Sequence, residues 1–443
     1  MPTEKTTRVR WFLVFWLFVL SAVSYLDRVN ISIAGGSIVD AYHLTDVQLG
    51  KVFSALVVGY ALFQTVGGYL ADRFGPRRVL TAGVVWWGIF TALTALVPAN
   101  IGGALFLFVL VRFFLGAGEA VIYPAANQFV ARWIPVRERG IANGWIFAGV
   151  GAGAGLSPPL ISYLMIHHGW RSSFWVCAII GFVAGVVWFF AARDNPGEHP
   201  RVSAAELSAI QTGLTVTNNS PTLTKEPADA LVPWKRVVRS REVWAVTISY
   251  FCYGYVAWIF FSWFYRYLAK VRGLDLKSSA FYSMLPFLAM LVCCLLGGTV
   301  NDRLTKWRGP RLGRCGLAAF AMGVAGIFIA FGSQVQGVRL ASVILAGGAG
   351  ALYFSQSSFW SVTADIAGAS AGSVSGFMNM GGQFGGALTG SLTPWIAVRY
   401  GWTASFLVAA GLCLVGAISW LAVDPLNTLT QVRAAEMLDE VHS

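Results

Sequence analysis

Charge is what this chain is short of. Only 12% of its 443 residues are Asp, Glu, Lys or Arg, against 56% hydrophobic residues, and the acids number just 20. A soluble domain carries about twice that charged fraction, and no core of this size could cover so much apolar surface. Histidine is scarcer still. All five (His43, His167, His168, His199, His442) fall in loops or tails, so an imidazole relay within an apolar segment has no members. The six cysteines (Cys177, Cys252, Cys293, Cys294, Cys315, Cys413) lie in or beside apolar runs without metal-ligand partners at useful spacing, and are expected to be buried thiols. Nucleotide-binding glycine loops and nucleophile–base pairs at motif spacing are missing as well, which argues against an enzyme and against a cofactor.

What the chain has is apolar length. Runs of roughly 18 residues or more, enough to cross about 30 Å of hydrocarbon as a helix, recur from end to end. Twelve are centred near Leu20, Val58, Gly88, Leu115, Gly149, Phe182, Tyr255, Ala289, Gly323, Ala349, Gly382 and Leu412. The first follows Lys5, Arg8 and Arg10, but it continues past Asp27 and Arg28 with no small-residue cleavage pattern, so it is kept as a span rather than a signal peptide. The formal charge of +12 is topological: 22 of the 32 Lys and Arg lie in the two tails and the even-numbered connections. By the positive-inside rule both termini are then cytoplasmic, the expected location is the cell inner membrane, and nucleic acid is not needed as a partner.

The sequence echoes itself across one long polar connection, residues 193–242, which is expected to be a flexible cytoplasmic linker. Gly67-Gly68-Tyr69-Leu70-Ala71-Asp72-Arg73 returns 230 residues on as Gly297-Gly298-Thr299-Val300-Asn301-Asp302-Arg303. Gly169-Trp170-Arg171-Ser172-Ser173-Phe174 returns 232 residues on as Gly401-Trp402-Thr403-Ala404-Ser405-Phe406. Helices 5 and 11 are both glycine-rich and each is expected to end at proline, at Pro158-Pro159 and at Pro394. The expected fold is therefore all-α: twelve transmembrane helices in two six-helix bundles related as a parallel pseudo-repeat. The boundaries follow as 1–192 for the first bundle, 193–242 for the linker, 243–424 for the second bundle and 425–443 for a cytoplasmic tail.

Four ionisable residues, Asp27, Arg28, Arg112 and Glu119, fall inside spans, where charge is rare and marks a transport path unless it is a static brace. Arg112 and Glu119 are seven residues apart, two turns and about 10.5 Å along one helix face, so they address one cavity at two depths. Asp27 and Arg28 diverge by about 100° around helix 1. The expected arrangement is an Asp27–Arg112 pair with Arg28 free to face the substrate. A carboxylate beside a movable arginine can hold or release a proton as the helices expose it, which makes Asp27, Glu119 and Arg112 the proton-coupling candidates, with Glu119 the expected carboxylic acid. Arginine's planar fork suits a carboxylate, so Arg28 is expected to be an anion anchor.

Gly68-Tyr69-Leu70-Ala71-Asp72-Arg73-Phe74-Gly75-Pro76-Arg77-Arg78 resembles the loop 2–3 signature of the major facilitator superfamily. Its glycines would let helices 2 and 11 approach closely, while Asp72, Arg73, Arg77 and Arg78, with Asp302 and Arg303 in the echo, would form an ion-pair latch on the cytoplasmic side. Three further segments, Tyr25-Leu26-Asp27-Arg28-Val29-Asn30, Arg112-Phe113-Phe114-Leu115-Gly116-Ala117-Gly118-Glu119-Ala120 running to Tyr123-Pro124, and Gly376-Phe377-Met378-Asn379-Met380-Gly381-Gly382-Gln383, resemble the anion:cation symporter family. That family includes hexuronate, galactonate and glucarate transporters. The resemblance implies an importer of a small organic anion, most simply a sugar acid, by proton-coupled symport with alternating access. It also implies that Tyr25, Arg28 and Tyr60 in the first half and Ser357, Trp360 and Asn379 in the second line the site.

Two departures weaken the sugar-acid expectation. Helix 5 reads Trp145-Ile146-Phe147-Ala148-Gly149-Val150 where sugar-acid members often carry an amide, leaving Asn143 as the nearest substitute, and helix 7 ends with Tyr265 and Arg266 in place of a proline and a small residue. A less hydroxylated acid, Na⁺ coupling or exchange are the alternatives within transport, and a transporter-like nutrient sensor is the alternative outside it. The expected partners are the anion, H⁺ and the bilayer, with the chain acting as a monomer.

Overall fold

The computed structural model describes residues 6–99, 103–215, 231–264, 267–274 and 276–429. Tyr265, Arg266, the middle of the linker and the tail from 430 onward lie outside the described residues. Among the described residues, eleven helical stretches are long and apolar enough to cross a membrane. One of them, Val338–Tyr400, runs 63 residues and bends back at Gly368 (φ +52°), so it supplies two crossings and brings the number to twelve.

In chain order these are α1 (Val9–Tyr42), α2 (Asp46–Phe74), α3 (Pro76–Leu96), α4 (Ala104–Glu119 and Ile122–Trp133), α5 (Arg139–His168), α6 (Trp170–Ala191), α7 (Arg241–Ser262), α8 (Leu276–Arg308), α9 (Leu317–Gln334), α10 (Val338–Phe354 and Gln356–Ala367), α11 (Ala371–Tyr400) and α12 (Trp402–Ser419). The fold is all-helical in the described residues, as expected.

Local chemistry explains several of the breaks. In α4, Pro124 brings no backbone N–H and its ring meets the carbonyl of Ala120, so the helix is interrupted at 120–121, directly after Glu119. Thr45 and Gln48 cap α2 reciprocally: Gln48 N donates to the Thr45 hydroxyl at 3.2 Å and Thr45 N donates to Gln48 Oε1 at 2.8 Å. The prolines of α5 and α11 do not end their helices, which continue to His168 and Tyr400. The stops come instead at Gly169 (φ +77°, ψ 163°) and Gly401 (φ +86°, ψ 161°). Only glycine takes that conformation cheaply, and the repeated Gly-Trp of the sequence is thus one turn built twice.

Part of the connection 193–242 is helical in the described residues. Pro196–Glu198, Ala204–Thr215 and Trp234–Arg239 are helical. Glu206 is buried and accepts hydrogen bonds from the Thr7 hydroxyl (2.6 Å), Val9 N (3.1 Å) and Arg10 N (3.2 Å), so a carboxylate from the linker caps the start of α1.

Candidate functional site

Between the two halves lies a cavity of about 560 Å³. Its walls come from α1 (Tyr25, Arg28, Ser32), α2 (Phe53, Tyr60), α4 (Arg112, Tyr123), α5 (Phe147), α7 (Tyr250, Tyr253, Phe261), α10 (Tyr353, Gln356) and α11 (Asn379, Gln383). A hollow of similar size, about 540 Å³, runs between α2 and α4 on the outer face past Lys51, Ser54 and Phe106, but it is shallow and holds one ionisable side chain. The central cavity is the candidate.

Arg28 is its organising residue. Its Nε donates to Glu119 Oε2 at 2.6 Å, and its guanidinium carbon lies 4.1 Å from the Tyr60 ring centroid and 5.0 Å from that of Tyr25. Cation–π contact with two rings and a buried carboxylate fixes the plane of the fork. Nη2 is left buried without a partner, as is Glu119 Oε1. Arg112, also buried, lines the same cavity with Nε and Nη1 unpartnered.

The expected Asp27–Arg112 pair is not formed. Asp27 is 1% exposed and turns away from the cavity toward Thr91 of α3 and Cys177 of α6, with neither oxygen hydrogen-bonded at ordinary distance. The short aspartate side chain on that face of α1 does not reach the arginine, whereas the long Arg28 on the adjacent face spans to α4. The ion pair that closes is therefore Arg28–Glu119. Arg112 lies within electrostatic reach of both carboxylates.

Of the residues expected to line the site, Tyr25, Arg28, Tyr60 and Asn379 do so, joined by Arg112. Trp360 sits one layer back, its ring 4.9 Å from Phe147 and 5.8 Å from Tyr123, its indole N–H donating to the Tyr250 hydroxyl at 3.3 Å. Ser357 is fully buried off the cavity and its hydroxyl has no partner. Asn379 Nδ2 donates to Gln64 Oε1 at 2.9 Å, tying α11 to α2. Gln64 escaped the sequence analysis, although its place one helical turn after Tyr60 puts both on one face of α2. Gln356 also lines the cavity, and its Nε2 donates to the Tyr250 hydroxyl at 3.1 Å.

Away from the cavity mouth the halves are sealed by two equivalent devices. Asp72 accepts from Gly372 N (2.9 Å), Ser373 N (2.7 Å) and the Ser373 hydroxyl, capping the N-terminus of α11. Asp302 accepts from Gly140 N (2.8 Å) and Ile141 N (2.6 Å), capping the N-terminus of α5. Each carboxylate thus meets N–H groups that have no intrahelical partner, at the positive end of a helix belonging to the other half. This corrects the expected ion-pair latch: Arg73 donates to Tyr69, Arg77 to Phe189 O and Asp194, and Arg78 and Arg303 are exposed. None of the four crosses between halves among the described residues.

Close approach is what makes this possible. A Cβ on Gly68 would sit 2.0 Å from the Gly372 carbonyl oxygen, and one on its counterpart Gly298 would sit 2.3 Å from that of Gly140. A buried ion cluster reinforces the seal: Arg139 to Asp365 at 2.6 Å across the halves, then Arg314 to Asp365 at 3.2 Å and to Asp302 at 3.0 Å. These residues sit at the ends of apolar runs, where sequence cannot distinguish a solvated charge from a buried one.

Comparison with known proteins agrees with this architecture. The family model of the Major Facilitator Superfamily matches residues 17–390. The chain is 34% identical over 430 residues to the "Probable sulfoacetate transporter SauU" of Cupriavidus necator, covering 96% of each chain. It is 33% identical over 307 residues to the "Probable galactarate/D-glucarate transporter GudP" of Bacillus subtilis, covering 69% of this chain and 67% of that one. In three dimensions it resembles the proton:xylose symporter XylE with a TM-score of 0.73 at 15% identity, covering 96% of this chain and 98% of that one. Twelve apolar helices, paired carboxylate-capped interfaces and these relatives lead to one assignment: the chain belongs to the Major Facilitator Superfamily, and is a transporter of its anion-carrying kind rather than an enzyme.

Proposed function

We propose that the protein imports a small organic anion together with a proton, by alternating access around the central cavity. The observation that carries this is the Arg28–Glu119 pair: one cavity-facing guanidinium shared between a buried carboxylate and whatever anion enters. With Glu119 ionised, the pair is neutral and an incoming anion must compete for the fork. A proton on Glu119 leaves the full charge of Arg28 to the anion, so anion and proton are best held together. Asp27 and Arg112 form the second stage, with Arg112 exchanging its attraction between the two carboxylates as the helices move.

The names of the relatives, for sulfoacetate and for galactarate and glucarate, support a small acid as cargo. The boundaries 1–192, 193–242, 243–424 and 425–443, both termini in the cytoplasm and the inner membrane as location complete the proposal. Asp72 and Asp302 serve as latches that are closed on the terminus-bearing side when the cavity faces the other way.

The test is uptake of labelled acids, sulfoacetate, galactarate and glucuronate among them, into proteoliposomes of the purified chain. With the lumen alkaline relative to the bath, at least one acid should accumulate above its external concentration, and a protonophore should abolish the excess. Accumulation that follows a Na⁺ gradient and ignores pH would overturn proton coupling.

A further inference from the structure

This inference rests on the anion-transport reading above and narrows its cargo. A polyhydroxylated acid needs a hydrogen-bond partner for each hydroxyl it buries, since an unpaired buried hydroxyl loses its hydration without return. The side chains expected to supply those partners are already engaged with one another. Asn379 donates to Gln64, Gln356 and Trp360 both donate to Tyr250, and Ser357 lies off the cavity. Besides the two arginines, the buried atoms of the lining left unpartnered are Gln356 Oε1, Gln383 Oε1 and the Tyr253 hydroxyl, fewer groups than a sugar acid has hydroxyls.

Much of the rest of the wall is aromatic, and its rings pack on one another. Tyr123 and Phe147 stack at 4.8 Å, and Tyr250 and Tyr253 stack at 5.0 Å with their planes 3° apart. Tyr25 of the first half faces Phe261 of the second at 6.2 Å. Flat apolar faces of this kind bind flat apolar bodies, and rings gain a further stacking term.

We infer that the cavity is built for an aromatic carboxylate: the carboxylate on the forks of Arg28 and Arg112, the ring against the aromatic walls of the two halves, and at most a few hydroxyls on Gln356, Gln383 and Tyr253. Tyr25 and Phe261, one from each half, set this preference, because a flat body packed against the edge of this ring pair bridges the halves.

Binding to the purified chain in detergent tests it free of passive permeation of weak acids. The probes are 4-hydroxybenzoate, benzenesulfonate, sulfoacetate, glucuronate and galactarate, titrated calorimetrically at one pH. The expected result is that 4-hydroxybenzoate and benzenesulfonate bind at least about tenfold more tightly than the two sugar acids, and that Phe261→Ala or Phe261→Leu removes about that factor for the aromatic ligands alone. Tighter binding of glucuronate or galactarate overturns the aromatic assignment while leaving anion transport intact. Absence of binding by every probe, together with absence of uptake, overturns both.

Discussion

Arg28 is held on three sides, by Glu119 at its Nε and by the rings of Tyr25 and Tyr60, and the edge left over is the one an anion can use. A lysine there could keep the contact with Glu119 but has no planar fork. Arg28→Lys should therefore raise the half-saturating concentration of the transported acid by about tenfold or more, the worth of one charge-assisted hydrogen bond of ~1.5–3 kcal/mol, with folded yield unchanged. Concentration-dependent uptake checks this, and an unchanged half-saturation would remove Arg28 as the anchor. At this scale the sequence was informative about identity and poor about pairing. Of the four charges within apolar runs, Arg28 and Arg112 line the cavity, and Asp27 and Glu119 are buried beside them. Which carboxylate meets which arginine depends on side-chain reach and on the break that Pro124 puts into α4, and neither spacing nor helical angle contains that.

At the scale of elements, α2 reads as a single stripe. Tyr60, Gln64, Gly68 and Asp72 recur every four residues, and they meet in turn the cavity, Asn379, Gly372 and the start of α11. The echo in α8 repeats its lower part with Gly298 and Asp302 against Gly140. The period was legible; the partner was not, because a carboxylate that caps a helix N-terminus looks the same in sequence as one paired with the neighbouring arginines. Asp72→Asn keeps the shape and removes the charge from that interface, so the seal should open more often. On a background lacking the six native cysteines, Ser361→Cys, buried beside Asn143 at the interface of the halves, reports this. Its labelling from the terminus-bearing side should rise about tenfold in the Asp72→Asn protein, as expected for losing ~1.5 kcal/mol from one state of a two-state equilibrium. Equal labelling would mean that the cap does not hold the halves together.

Across the whole molecule, twelve spans and the duplication followed from apolar run length and two repeated glycine motifs, since both are linear properties of the chain, and the cavity lies between the halves so related. The linker's grip on α1 through Glu206, and the Arg139–Asp365–Arg314 cluster, were hidden because they join segments far apart in sequence. In the proposed mechanism Glu119 ties anion movement to proton movement without being needed for the protein to cycle. Glu119→Gln in proteoliposomes, measured in two modes, tests this most directly. Exchange of labelled for unlabelled acid at equal pH should continue at a rate within a few-fold of the parent, while accumulation driven by a pH gradient should vanish. Accumulation that persists in the Glu119→Gln protein would contradict the claim.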